Sequence, residues 1–172
     1  MTNTQNNKNA LVELQIIQLE LANDRDYHFR HTVDQWFAYT NGYVTSSGKE
    51  NTGRIEGNEY VSDEYLELIE NKPWDTKGNP PKSKYIVKKE HVVPLKVIRD
   101  GLMKLKSKSL LDIEEYLTEN VIFATISKSE DQKLIDAGVN DKMPGEFYDP
   151  THELFGDKWA RYKVAGIEVK KM

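Results

Sequence analysis

The residues of this sequence that could do chemistry surround one histidine, His91. Glu90 precedes it and Pro94 closes the stretch Glu-His-Val-Val-Pro. The pKa of histidine lies near physiological pH, so an imidazole at a strand end can act as a general base. A neighbouring carboxylate can bind a divalent cation, because hard cations prefer oxygen ligands. His91 and Glu90 are therefore candidates for metal-assisted hydrolysis of a phosphodiester. The alternative is structural: His91 is a hydrogen-bonded histidine at a strand edge, and Glu90 is a surface ion-pair partner of Lys88 or Lys89.

Positive charge is concentrated around His91. The chain of 172 residues has a formal net charge of −4, yet residues 72–108 carry 11 Lys and Arg against 3 Asp and Glu. Clustered basic side chains are typical of surfaces that contact nucleic-acid phosphates, although a solvated lysine-rich loop has the same composition. Four of these cations are candidates for phosphate contacts: Lys88, Lys89, Lys96 and Arg99.

A second polar segment follows downstream, where a short apolar strand over 120–127 leads directly into a helix. Ser127 and Glu130 fit the capping-box pattern S-x-x-E, which predicts that this helix begins right after the strand. A helix packed against the His91 strand is a natural source of a second oxygen ligand. Glu130 and Asp131 offer carboxylates there, and Glu130 has an equally good explanation as the capping residue.

Together the two segments resemble the HNH family of His-Me finger nucleases, whose core is a ββα-metal finger. The resemblance covers about residues 84–138 and rests on Glu-His-Val-Val-Pro, on Asn120 before the second strand, and on the helix that follows. It implies that His91 is the general base, that Glu90 binds the metal and that Asn120 helps to hold the His91 loop.

The sequence departs from this family at the last metal ligand. The family places a His or Asn in the first turns of the final helix, where this chain offers carboxylates. We assign that ligand role to Glu130 or Asp131. The implied cofactor is Mg²⁺ or another divalent cation such as Mn²⁺.

The resemblance implies a metal-dependent endonuclease, a hydrolase acting on double-stranded DNA. Small nucleases of this kind often belong to phage, mobile-element or defence systems. The alternative is a non-catalytic protein on a nuclease-like scaffold, for example a phage-type inhibitor that binds a host nuclease or nucleic-acid machine. The acidic segments 1–71 and 109–172 favour this alternative, because acidic surfaces can imitate DNA phosphates for a basic protein partner. A homodimer is compatible with either function.

The helices and strands that must position these residues are predicted to form a predominantly helical α+β fold. We expect a ββα-metal finger with inserted helices, plus an N-terminal helical region. The expected organisation is a disordered leader over 1–8, a helical N-terminal region over 9–80, and an HNH-like ββα region with a C-terminal helical extension over 81–172.

Composition excludes several classes of protein. The chain has no cysteine, which excludes disulfides and Cys-ligated zinc. It has no apolar run of the roughly 18–20 residues that a membrane helix needs, and its polar N-terminus does not resemble a signal peptide. We therefore expect a cytoplasmic protein with no membrane partner. Gly-rich phosphate loops and the G-x-S-x-G elbow are also missing from the sequence.

Overall fold

The structure is a computed structural model that describes residues 3–49, 51, 59–71 and 87–172. Over these residues the fold is α+β and predominantly helical, as predicted, with seven α-helices and one four-stranded sheet. The helices are α1 (Asn3–Ala22), α2 (Phe29–Asn41), α3 (Asp63–Glu70), α4 (Leu95–Lys104), α5 (Leu110–Asn120), α6 (Lys128–Asp136) and α7 (Ala160–Val164). The strands are β1 (Tyr60–Ser62), β2 (Val87–His91), β3 (Phe123–Ser127) and β4 (Val169–Lys171).

The chain forms two compact units that alternate along the sequence. The first consists of Met1–Ile55 and Ile98–Val121, and the second of Glu56–Val97 and Ile122–Met172. No helix in the described ranges is long and apolar enough to cross a membrane.

The first unit is built on α1, which packs against α2 and α5. Apart from Glu20, its buried side chains lie three or four residues apart, so they form one face of the helix: Asn6, Ala10, Leu14, Ile17 and Leu21. The helix begins at Asn3, and its buried face extends back to Asn6. Residues 3–8 are therefore helical, which corrects the predicted disordered leader, and residues 1–2 lie outside the described residues.

The second unit contains the sheet, in the order β2-β3-β1-β4. Strand β2 is antiparallel to β3, with Glu90 opposite Ala124 and His91 opposite Phe123. Strand β1 runs parallel to β3 and antiparallel to β4, and it comes from the part of the chain predicted to be helical. One face of the sheet contributes to a core of Val92, Ala124, Ile126, Leu134, Val139, Tyr162 and Ile167.

Candidate functional site

The Glu90-His91 pair divides between the two faces of strand β2. Successive side chains of a strand point to opposite faces, so Lys88 and Glu90 share one face while Lys89 and His91 share the other. Glu90 lies opposite Ala124, which belongs to the core beneath α6 and α7. The predicted base and the predicted metal ligand therefore do not face a common site.

On the first face, two predicted metal ligands converge on one lysine. Lys88 Nζ lies 2.6 Å from Asp131 Oδ1 and 3.7 Å from Glu90 Oε2. Glu90 stands on β2 and Asp131 in the first turn of α6, so the strand and the helix bring them together as expected. The ammonium group lies between the two carboxylates, where it neutralises part of their charge.

Sequence reasoning missed the residue that holds this region together, Arg161. Its side chain is fully buried at the start of α7. Nη2 donates to Glu90 Oε1 at 2.8 Å and to the carbonyl of His91, and Nε donates to the carbonyl of Val92 at 2.7 Å. Arg161 thus binds three consecutive residues of the predicted catalytic motif.

The remaining contacts of Arg161 join a second segment of chain to the first. Nη1 donates to the carbonyls of Val139 and Asn140 at 3.1 Å and 3.0 Å. A buried guanidinium is tolerated when its donors are paired, and Arg161 pairs Nε, Nη1 and Nη2 with carbonyls and one carboxylate. Its place in the sequence, within Trp-Ala-Arg-Tyr, indicates a buried environment but does not identify Glu90 as its partner.

His91 lies on the other face and is only 4% exposed. Its ring centroid is 4.3 Å from that of Phe123, the residue opposite it on β3. Lys89 Nζ lies 4.3 Å from the centre of the same phenyl ring, a cation–π arrangement. The imidazole is therefore part of a packed aromatic cluster rather than the floor of an open cleft.

Glu130 serves as the capping residue of α6, and the predicted capping box is confirmed. Its Oε2 accepts the backbone N–H of Ser127 at 2.9 Å and the hydroxyl of Ser62 at 2.5 Å. In return, Ser127 Oγ accepts the backbone N–H of Glu130 at 3.0 Å. The side chain is 3% exposed, so this carboxylate is committed to joining β1, β3 and α6.

Two other candidate site residues lie in the first unit, and their side chains form hydrogen bonds or ion pairs within that unit. Asn120 is the last residue of α5, and its side-chain amide donates to the carbonyl of Tyr116 at 2.8 Å. Since α5 continues to Asn120, strand β3 begins at Phe123, three residues later than the sequence predicted. Arg99 forms an ion pair with Asp24, at 2.6 Å between Nη2 and Oδ1.

The fourth candidate for a phosphate contact, Lys96, is exposed near the start of α4. It belongs to the second unit, as Lys88 and Lys89 do. Other lysines of the predicted basic segment, over residues 72–86, lie outside the described residues. Among the four candidates, Lys96 is thus the one that forms no ion pair or cation–π contact with the described residues.

One buried hydroxyl, that of Tyr162, is influenced by the charge of the acidic residues. Tyr162 Oη is buried, and it has no hydrogen-bond partner among the described residues. Burial raises the pKa of Tyr162 strongly; Arg161 opposes this shift, while the carboxylates of Glu90, Glu130 and Asp131 add to it. The phenol therefore stays protonated. The three carboxylates that help to raise its pKa are the predicted metal ligands.

Among the described residues, no three His, Asp or Glu side chains form a group that could hold a metal ion. Comparison of the chain with models of protein families, with curated proteins and with solved structures finds no match.

Proposed function

We propose that this protein is a non-catalytic binding protein whose strand–strand–helix region resembles that of a ββα-metal nuclease. The observation that carries the proposal is the pairing of Glu90 with two cations of the chain itself. Arg161 holds Oε1 at 2.8 Å, and Lys88 lies 3.7 Å from Oε2. A carboxylate in this position stabilises the fold, because removing it would leave a buried guanidinium with one partner fewer.

The environment of His91 supports the same function. A general base must come within hydrogen-bond reach of the water that it activates. The His91 imidazole is packed against Phe123 on the face of β2 opposite Glu90. A nuclease of HNH type would need both side chains to act on one phosphate, and that would require β2 to bend or to leave its register.

The intramolecular contacts of the basic residues point away from DNA as the partner. Lys88 is paired with Asp131, and Arg99 with Asp24, so their charges are partly compensated within the chain. The segments over 1–71 and 109–172 are acidic. These charges favour a basic protein partner, such as the DNA-contacting surface of a nuclease or another nucleic-acid machine, because opposite potentials steer association.

A second candidate function, the metal-dependent endonuclease, is favoured by the convergence of Glu90 and Asp131. Both carboxylates lie within 3.7 Å of the Lys88 ammonium. Glu90 Oε2 and Asp131 would hold the ion once Lys88 moved away. A bound divalent cation would polarise the phosphate and stabilise the leaving oxygen. Lys96, which is exposed, could then contact the DNA backbone.

Plasmid DNA incubated with the protein distinguishes the two functions. The samples contain Mg²⁺, Mn²⁺ or EDTA, and the variants are His91→Ala and Asp131→Asn. Asp136→Asn is the matched control, since Asp136 is an exposed carboxylate on the same helix. We expect no metal-dependent nicking by any of them. Nicking by the wild type and by Asp136→Asn that is lost in both other variants would overturn the proposal and establish the nuclease.

A further inference from the structure

Helix α1 has a second apolar stripe, on the side away from its buried face. Val12, Ile16 and Leu19 follow one another at intervals of four and three residues, so they share one side of the helix. They are 49%, 38% and 64% exposed. At about 3.6 residues per turn, this stripe lies roughly opposite the buried face of α1. Adjacent aliphatic side chains that stay at the surface are typical of a protein contact.

The stripe belongs to a heptad pattern. Residues 5, 9, 12, 16 and 19 are separated by alternating intervals of four and three, which is the spacing of the a and d positions of a coiled coil. Asn9 and Ile16 then occupy a positions, and Val12 and Leu19 occupy d positions. Gln5 Nε2 donates to Asn9 Oδ1 at 2.9 Å, so the polar start of the pattern lies on the same side of the helix.

The residue types at these positions favour an identical helix as the partner. Ile at an a position with Leu at a d position favours two parallel strands. An Asn at an a position specifies the register, because in a parallel pair of identical helices it faces its own copy. Ile16, Leu19 and Asn9 therefore match a second copy of α1 better than they match an unrelated apolar surface.

The charges beside the stripe fit the parallel orientation. Lys8 is exposed at a g position, and Glu13 is half-buried at the following e position. In a parallel pair the g residue of one helix lies beside the next e residue of the other, so Lys8 meets Glu13. In an antiparallel pair e positions meet e positions, which brings Glu13 and Glu20 of the two chains together as like charges. The Lys8–Glu13 contact sets the orientation and contributes little to stability, because it lies at the surface.

We propose that α1 forms a parallel, in-register dimer with α1 of a second copy of this chain. The contact would bury Val12, Ile16 and Leu19, and the two copies of Asn9 would face each other. It spans two heptads, so the interface is small and the dimer is reversible. The proposal is independent of the function proposed above, since it uses only residues of α1.

Sedimentation equilibrium of the full chain measures the association. Ile16→Glu and Leu19→Glu should each weaken the dimer at least about tenfold, because they place an unpaired charge in the contact. Both residues are exposed, so the fold should be kept, which circular dichroism checks. Leu111→Glu is the matched control, since Leu111 is 63% exposed on α5, and it should dimerise as the wild type does. A wild type that is monomeric up to about 1 mM, or equal effects of all three variants, overturns the proposal.

Cysteine cross-linking tests the parallel register. The chain has no cysteine, so each introduced thiol reports on one position. Asn9→Cys and Ile16→Cys, made separately, should both form interchain disulfides under mild oxidation, because the copies of an a residue are neighbours in a parallel dimer. In an antiparallel dimer at most one of these two positions meets its own copy. Leu111→Cys should remain unlinked. Cross-linking at only one of the a positions, or at neither, overturns the parallel arrangement.

Discussion

Arg161 shows how one side chain can fix a segment that resembles an active site. Its nitrogen atoms bond to Glu90 and to four backbone carbonyls, those of His91, Val92, Val139 and Asn140. Each of these acceptors would otherwise have to be buried without a donor or reach water. The motif around His91 is therefore held by a residue that lies 71 positions away from Glu90.

Arg161→Met should destabilise the protein by about 3–5 kcal/mol, since it leaves Glu90 and several carbonyls without their donor. Urea unfolding followed by tryptophan fluorescence measures the change. Lys163→Met is the matched control on the same helix: it removes an exposed ion pair with Asp157 and should cost less than about 1 kcal/mol. Equal stability of the two variants would show that the Arg161 network is not formed in solution.

Glu13 on α1 provides a pH-dependent test of the first unit. Burial raises the pKa of Glu13, and the nearby His31 opposes this shift. A folded-state pKa above the unfolded value means that ionisation weakens the fold as pH rises through it. Glu13→Gln should therefore unfold at a higher temperature than the wild type at pH 7, and the gain should vanish below about pH 3, where the wild-type carboxyl is protonated in both states. A variant equally or less stable at pH 7 would contradict this.

At the scale of elements, helix α6 is joined to its neighbours by hydroxyls and carboxylates around its first turn. Glu64 of α3 accepts hydrogen bonds from the hydroxyls of Ser129 and Ser127, the latter at 2.8 Å. Hydrogen bonding by Ser129 is the main cause of the lowered pKa of Glu64; burial opposes it, and Ser127 and Lys133 reinforce it. The ionised carboxylate therefore stabilises the contact between α3 and α6.

Glu64→Gln tests this contact through its pH dependence. Because the folded-state pKa is lowered, the contribution is present above the unfolded pKa of about 4.3 and disappears as pH falls through the folded value. The variant should be less stable at pH 7 by under about 1 kcal/mol, as the side chain is partly exposed. Its thermal unfolding midpoint should meet that of the wild type in strong acid. A difference between the two midpoints that persisted in strong acid would show instead that the effect comes from lost packing.

Local signals in the sequence were sufficient to predict where several helices begin. The S-x-x-E pattern located the start of α6, and Ser109 and Ser62 cap α5 and α3 through their hydroxyls. Strand β1 has only three residues, too few for a pattern of alternation, and it exists because β3 and β4 pair with it. The sequence placed the start of β3 at Asn120, whereas the preceding helix extends to that residue, whose side-chain amide donates to the carbonyl of Tyr116.

The candidate site depended on contacts that no local pattern encodes. The meeting of Glu90 and Asp131 followed from a strand and a helix predicted to pack together. The ion pair of Glu90 with Lys88 was an alternative that the sequence already offered, because the two residues are neighbours on one face of a strand. The pairing of Lys88 with Asp131 and of Glu90 with Arg161 did not follow, since Lys88 is 43 positions from Asp131 and Arg161 lies on a helix of only five residues. Glu130 was open to two interpretations, and its burial with Ser62 favours the structural one.

At the scale of the whole molecule, the binding function that we propose rests on the charge distribution and on the contacts of the basic residues. The chain is acidic overall, and described members of its basic segment are paired with carboxylates at Asp131 and Asp24. We propose that Lys88 and Arg161 take the place that a divalent cation would have beside Glu90. If Lys88 were absent, the carboxylates of Glu90 and Asp131 would repel each other and attract a cation.

Calorimetric titration with Mn²⁺ tests this claim most directly. We expect no stoichiometric binding at millimolar Mn²⁺ by the wild type or by Asp136→Asn. Lys88→Met should instead bind about one Mn²⁺ per chain, because two carboxylates lose the ammonium between them, and the double variant Lys88→Met/Asp131→Asn should lose that binding. One equivalent of Mn²⁺ bound by the wild type, and lost in Asp131→Asn alone, would contradict the claim.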